Sequence, residues 1–312
     1  MIIDWHNLGY TLLPSKKTFI NNLARFIYKN CEFLFGKYSH GNLCVTDAMK
    51  QYLQKTSSIE SHVLKDKPPS FFHRCTLLEQ HKLFMEIQPL IEHINFTKKK
   101  EKEIGEEVTL FTYKEYISGN IKYREDRPIL LVSSTSWTED EDFGILLDAF
   151  IKYDKKKDSK NLVAIITGKG PLKEYYLNKI NEIKMNKVKI VTMWLTAEQY
   201  PLLLGSADIG ISMHTSSSGL DLPMKVVDMF GTNLPVLSVN FQCLNELVKH
   251  NENGLVFNTS DQCCDQLLKI FINFPNDTTK INKMRNNINT FLQDRWEDNW
   301  DCTMKPMLSK LL

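Results

Sequence analysis

The chain reads as an α/β protein built on a doubly wound parallel sheet. Two observations predict this. Short apolar runs, among them Arg127–Ser133 and Leu162–Thr167, alternate with segments whose apolar residues recur at helical spacing. Strands alternating with helices form βα units, which pack helices on both faces of a parallel sheet. At 312 residues the chain has room for two such domains with real cores.

Taken in order, Ile2–His6 reads as the end of a buried strand and Asn7–Gly9 as the turn after it. Apolar spacing predicts a helix over 18–36, a strand at 43–45 and a helix over 48–55 behind a Thr46 or Asp47 cap. A strand at 62–64 ends at Pro68-Pro69, and 71–96 reads as helical. Lys98–Glu107 is a charge run, read as a solvated loop or helix end, and 108–127 is an irregular polar approach. Beyond a boundary near 120 come strands at 127–133, 162–167, 188–192, 207–213, 234–239 and 253–257. Helices are predicted over 142–153, 172–184, 198–205, 223–231, 240–249, 260–274 and 277–293. The acids Glu139–Asp142 suit a helix N-terminus.

Composition narrows the function. A net charge of +2 gives no nucleic-acid signal. Seven cysteines without a C-x-x-C pair point to a reducing compartment, away from a zinc site or disulfide framework, with Cys263-Cys264 packing on a helix. No apolar run is long enough to span a bilayer, and Met1-Ile2-Ile3 does not open a signal peptide.

The segment His214–Gly231 lies between two predicted strands and combines a hydroxyl-rich turn with a helix start. Pro223 fits the first helical position, Met224, Val227, Met229 and Phe230 give an apolar face, and Gly231 ends the helix. Such a loop suits phosphate, because free N–H groups and the positive dipole end face the ligand. Lys225 in the first turn is unfavourable for the dipole alone, which an adjacent anion would explain. An ordinary βαβ crossover with a polar loop fits the local pattern equally well.

The wording SSSGLDLPMKVVDMFG, with ITGKGPLKEYY upstream and NFQCLNELVKHNENGLVF downstream, closely resembles the chitobiosyldiphosphodolichol beta-mannosyltransferases of N-glycan assembly. The resemblance runs from Ile3–Asn7 to Arg295–Trp300. It implies the GT-B fold, two Rossmann-like domains facing a cleft: residues 1–119 on the acceptor side, and 120–312 binding the nucleotide sugar, with a final helix crossing back. The related enzymes carry a membrane anchor and earlier strands ahead of Ile2-Ile3. The N-terminal domain is therefore expected to be incomplete, and the shortened chain to transfer little mannose.

The resemblance implies GDP-mannose as donor and dolichol-linked chitobiose as acceptor, joined by inversion in a β-1,4 linkage. It places the work at the cytosolic face of the endoplasmic reticulum membrane, with a membrane surface and other mannosyltransferases of the pathway as partners and no nucleic acid. The fold requires no cofactor and no metal ligand set is evident, although a divalent cation is compatible. Expected donor contacts are Ser134, Thr135, Gly168, Lys169, Gly170, Trp194, His214, Ser216, Ser217, Ser218, Gly219, Leu220, Lys225 and Asp228. Trp194 flanks a base or packs, with packing preferred, and Asp228 reaches a ribose or pairs with Lys225. His6 and Asp4, at a strand end facing the cleft, are the expected catalytic pair, His6 being equally readable as structural. Two other functions fit: a truncated non-catalytic paralogue that binds nucleotide sugar or the full-length enzyme, and a GT-B enzyme with another acceptor.

Overall fold

A computed structural model describes residues 1–13, 18–94, 96 and 105–311, the side chains of 310 and 311 excepted. Most of the expected charge run, residues 98–104, lies outside that range. The first unit is a parallel three-stranded sheet, β1 (Ile2–Trp5), β2 (Gly41–Cys44) and β3 (His62–Val63), in sequence order. Helix α1 (Phe19–Lys37) joins β1 to β2, and α2 (Asp47–Ser57) joins β2 to β3. Thr18 caps α1 and Thr46 caps α2, each through its side-chain oxygen.

Helix α3 (Leu77–Ile91) begins later than the helical reading of 71–96. A capping box formed by Thr76 and Glu79 sets its start, and Cys75 N–H is bound instead to the Gly205 carbonyl. The segment expected to be irregular contains a small antiparallel hairpin, β4 (Thr112–Lys114) and β5 (Ile121–Tyr123). Period-two spacing over three residues is too brief to register against its polar surroundings.

The larger sheet is parallel and six-stranded: β6 (Ile129–Ser134), β7 (Leu162–Thr167), β8 (Val188–Met193), β9 (Ile209–Ser212), β10 (Val236–Val239) and β11 (Gly254–Phe257). Its spatial order is β11-β10-β9-β6-β7-β8, so two halves wind outward from β6 and β9. One face is covered by α4 (Phe143–Asp154), α5 (Lys173–Glu182) and α8 (Ser260–Ile270). The other is covered by α3, α6 (Gln199–Ser206) and α7 (Met224–Gly231), and α9 (Thr279–Phe291) reaches both. Elements on both sides of residue 120 share that second core, including Phe84 of α3, Phe111 and Val132. Cys263 and Cys264 are free, buried packing residues of α8.

Residues 240–249 do not form the expected helix. They fold as a short 3-10 turn at 244–246, because Asn253 binds Lys249 N–H and the Leu247 carbonyl while Glu246 reaches away to the first unit. The final helix α10 (Trp296–Leu311) packs Met304 and Met307 against Leu43 and Leu64 of the first unit. Among the described residues no helix is long and apolar enough to cross a membrane.

Candidate functional site

The strand order of the large sheet reverses between β6 and β9, and ligands of such sheets sit outside the strands' carboxyl ends at that point. Loops from β6, β7, β8 and β9 meet there, and each is held by a different device. Thr135 is buried and its hydroxyl accepts from Trp137 N–H at 3.1 Å, so it shapes the turn and offers no free hydroxyl to a ligand. Trp137 follows with a positive φ and drops into the core against Phe143.

Gly168 and Gly170 are required, though their close approach is to protein backbone. A Cβ on Gly168 would lie 1.9 Å from the Thr135 carbonyl oxygen, and one on Gly170 would lie 1.6 Å from that of Ser136. Gly168 also has φ near +120°. Gly170→Ala should therefore push the β6 and β7 loops apart and weaken nucleotide binding by about tenfold or more, since neither backbone has slack. Calorimetric titration would show it, and an unchanged affinity would mean the loops shift without consequence.

The β9 loop is tied internally. Ser216 and Ser218 hydroxyls both reach Asp221 Oδ1, and Gly219, at φ +74°, turns the chain. Ser217 contacts Asn7 at 3.4 Å and Thr11 at 3.1 Å, both from the first unit. Leu220 is corrected from donor contact to anchor: its side chain is buried with Trp5, Leu8 and Met49, and its carbonyl accepts from Thr46 Oγ1 at 2.6 Å. Pro223 stands one position earlier than expected, as the N-cap, and supplies no side-chain cap to α7. Met224 is exposed, so the apolar face of α7 consists of Val226, Val227, Met229 and Phe230. Gly231 marks where Pro68 and Phe72 pack onto the helix.

At the centre is Glu141, which the sequence reading gave only to a helix terminus. It is 3% exposed, its Oε2 accepts from Ser136 N–H at 2.9 Å, and its Oε1 meets Lys225 Nζ in an ion pair. His214 Nδ1 lies 3.7 Å from the same oxygen, and His214 Nε2 lies 3.5 Å from Asp221 Oδ2. The second distance is an ion-pair contact rather than a closed hydrogen bond, which leaves Nε2 a buried donor without a hydrogen-bond partner. Burial disfavours the Glu141 carboxylate, yet His214 and the Lys225 ammonium outweigh that and hold it well below the usual carboxylate range. Burial would likewise lower His214, but Asp221 and then Glu141 carry it up to about 9.

Asp228 does not pair with Lys225. It faces Tyr200, whose hydroxyl accepts from Ser134 Oγ at 3.0 Å, and burial raises its carboxyl to about 6. Trp194, expected to pack, is exposed, and Lys169 Nζ sits 4.0 Å above its ring, a cation–π contact at the rim. At the end of β1, His6 Nε2 lies 3.0 Å from Asp4 Oδ2, both exposed, and that hydrogen bond raises the imidazole above its ordinary value. Among the described residues, His73, Cys75 and Glu79 place possible metal-ligating atoms within 4.8 Å of one another at the start of α3, where Glu79 already caps the helix.

The family model for Glycosyl transferases group 1 matches residues 127–273. The human chitobiosyldiphosphodolichol beta-mannosyltransferase is 48% identical over 313 residues, 99% of this chain and 67% of that protein. The Arabidopsis thaliana UDP-glycosyltransferase TURAN is 43% identical over 335 residues, all of this chain and 71% of that one. The crystal structure of Anabaena HepE with UDP and glucose superposes with a TM-score of 0.65 at 14% identity, covering 99% of this chain and 71% of that one, which shows the shared GT-B fold. The chain belongs to the chitobiosyldiphosphodolichol beta-mannosyltransferase family, and is a hexosyltransferase.

Proposed function

We propose that the chain transfers one mannose from GDP-mannose to a chitobiose carried on dolichol diphosphate, with inversion to a β-1,4 linkage, at the cytosolic face of the endoplasmic reticulum membrane. One observation carries the donor side. The His214–Glu141–Lys225 cluster lies beside the uncapped N-terminus of α7, at the point where the strand order reverses. The relatives' name supplies the sugar and the lipid-linked acceptor.

The four charges of the cluster, Glu141 and Asp221 against His214 and Lys225, cancel. The site therefore holds an anion by aimed donors. His214 Nε2 keeps its proton below about pH 9 and lacks a closed hydrogen bond, so it is the donor for a diphosphate oxygen. The first amides of α7 and its dipole add to this. As the sugar–phosphate bond breaks, charge grows on that oxygen, and a fixed donor there stabilises the transition state more than the ground state. Trp194 offers its free ring face to the guanine, and Asp228 accepts from a ribose hydroxyl.

On the acceptor side Asp4 engages His6 Nε2, leaving Nδ1 as the base that takes the proton of the attacking hydroxyl. The hydroxyl oxygen displaces the diphosphate in one step from the opposite face, which inverts the centre. The dolichol chain requires that this happen at a membrane surface. Calorimetry should show GDP and GDP-mannose binding at least about tenfold more tightly than UDP-glucose, with slow product from a short-lipid chitobiose diphosphate acceptor. No heat with either guanine ligand would refute the donor reading, and binding without product would favour a non-catalytic relative.

A further inference from the structure

The amino ends of β6 and β9 carry a group of arginines with too few acids beside them. Asp208, just before β9, is fully engaged by Arg127. Its two oxygens accept from Arg127 Nη1 at 2.8 Å and Nη2 at 2.9 Å, and one of them also takes Leu130 N–H. Arg74 and Arg285 converge on the neighbouring residue and find only a neutral group. Arg74 Nη1 and Arg285 Nη2 both donate to the Ala207 carbonyl oxygen, at 2.7 and 3.2 Å. Among the described residues neither has a carboxylate within ion-pair distance. Three positive charges therefore gather around one negative charge.

This arrangement is unfavourable as it stands. Two guanidinium groups within hydrogen-bond reach of one oxygen repel each other, the more so at partial burial. Arg285 Nε is buried without a hydrogen-bond partner. Burial first, and Arg74 next, bring the Arg285 guanidinium down to about 10, and the repulsion by Arg74 outweighs the attraction of Asp208. Buried charges ordinarily persist only when they are paired.

We propose that Arg74 and Arg285 form a binding site for a dianionic phosphate, free or as a phosphomonoester. Two uncompensated positive charges suit a dianion, whereas a single carboxylate would leave one of them unanswered. Each planar guanidinium presents N–H groups spaced for two oxygens of a tetrahedral oxyanion. Both residues are part-exposed, which gives a small anion access. The site is separate from the donor cluster, which lies at the carboxyl ends of the same parallel strands.

Its position gives the anion a task. Arg74 lies on the connection that leaves the first unit after β3 and enters α3. Arg285 lies on α9, the last helix before the chain returns to the first unit as α10. The two crossings already touch, since Arg295 Nη1 donates to the Phe72 carbonyl at 3.3 Å. A phosphate bridging Arg74 and Arg285 fastens them together, so the ion acts as an effector of the joint between the units.

The test is calorimetric titration of the purified chain with sodium phosphate, at an ionic strength held constant with sodium chloride. The expected result is saturable binding, and a thermal unfolding midpoint raised by about 2 °C or more. Arg74→Gln should weaken phosphate binding by about tenfold or more, and Arg285→Met should do the same through the other side of the site. The stability gap between Arg74→Gln and the parent should widen when phosphate is added. His214→Ala, altered in the donor cluster, should keep the phosphate response. Glycerol phosphate replaces the free ion in a second titration, and binding of either anion through both arginines supports the proposal. A response equalled by chloride, or phosphate binding unaltered in both arginine variants, overturns it. So does a stability gap that ignores phosphate, the mark of a merely structural arginine. A response lost in His214→Ala but kept in both arginine variants assigns the anion to the donor cluster and overturns the proposal as well.

Discussion

Replacing Glu141 with glutamine is expected to destabilise the protein by about 3–5 kcal/mol, because it strands the half-buried charges of Lys225 and His214 without their shared counter-ion. The pH dependence identifies the cause. The folded carboxyl is held below its unfolded value, so its contribution is complete above the ordinary carboxylate range and fades as pH falls through the lower, folded value. His214 behaves oppositely: its folded value of about 9 exceeds the ordinary 6.5, so its contribution is complete below 6.5 and is lost as pH rises through about 9. Denaturant unfolding of parent and Glu141→Gln across pH should show the variant losing the acid-side contribution of the carboxylate and keeping a smaller alkaline decline that begins at lower pH, since Asp221 still raises His214 when Glu141 no longer does. A variant as stable as the parent, with the same profile, would show that the cluster is held by backbone packing alone.

His214→Ala should lower mannose transfer by about 100- to 1,000-fold, the usual loss when one fixed donor to a developing anion is removed. The donor's Kd should change far less than turnover, because the contact strengthens as the diphosphate leaves. In the parent, turnover should fall as pH passes about 9 and the imidazolium is lost. At the acid end it should fall as His6, raised above 6.5 by Asp4, takes up its proton. His214→Gln, which keeps an N–H donor, should recover part of the rate and lose the alkaline limb. Equal loss of Kd and turnover in His214→Ala would reassign the residue to ground-state binding.

Much of this architecture was legible because parallel strands buried on both faces announce themselves. Leu162–Thr167 reads as one apolar run and forms β7 over the same residues. Gly168 and Gly170 stand out in the sequence as donor-loop residues, but the Thr135 and Ser136 carbonyls that would collide with a Cβ at either position are supplied only by the fold. The centre of the site was not legible. Glu141 stands among four consecutive acids, any of which fits a helix start, and its partner Lys225 is 84 positions away. Tyr200 was hidden in the same way, since only the fold carries it between Ser134 and Asp228. Trp194 was misread because an aromatic residue is more often packed, whereas here Lys169 covers one face of a ring at the rim.

The burial of Leu220 sets a mechanical condition on turnover. The same loop that carries His214 is pegged by that leucine into the first unit, with Thr46 holding its carbonyl and Glu246 gripping Asp47 N–H and Ala48 N–H at 2.8 Å each. Any hinge motion that parts the two units must draw the peg from its socket, at a cost of roughly 1.5–3 kcal/mol for the leucine alone, and release those grips together. The donor loop then cannot keep its shape while the jaws open. On the proposed donor reading, loosening of the nucleotide and parting of the units become one event, which couples diphosphate release to the hinge.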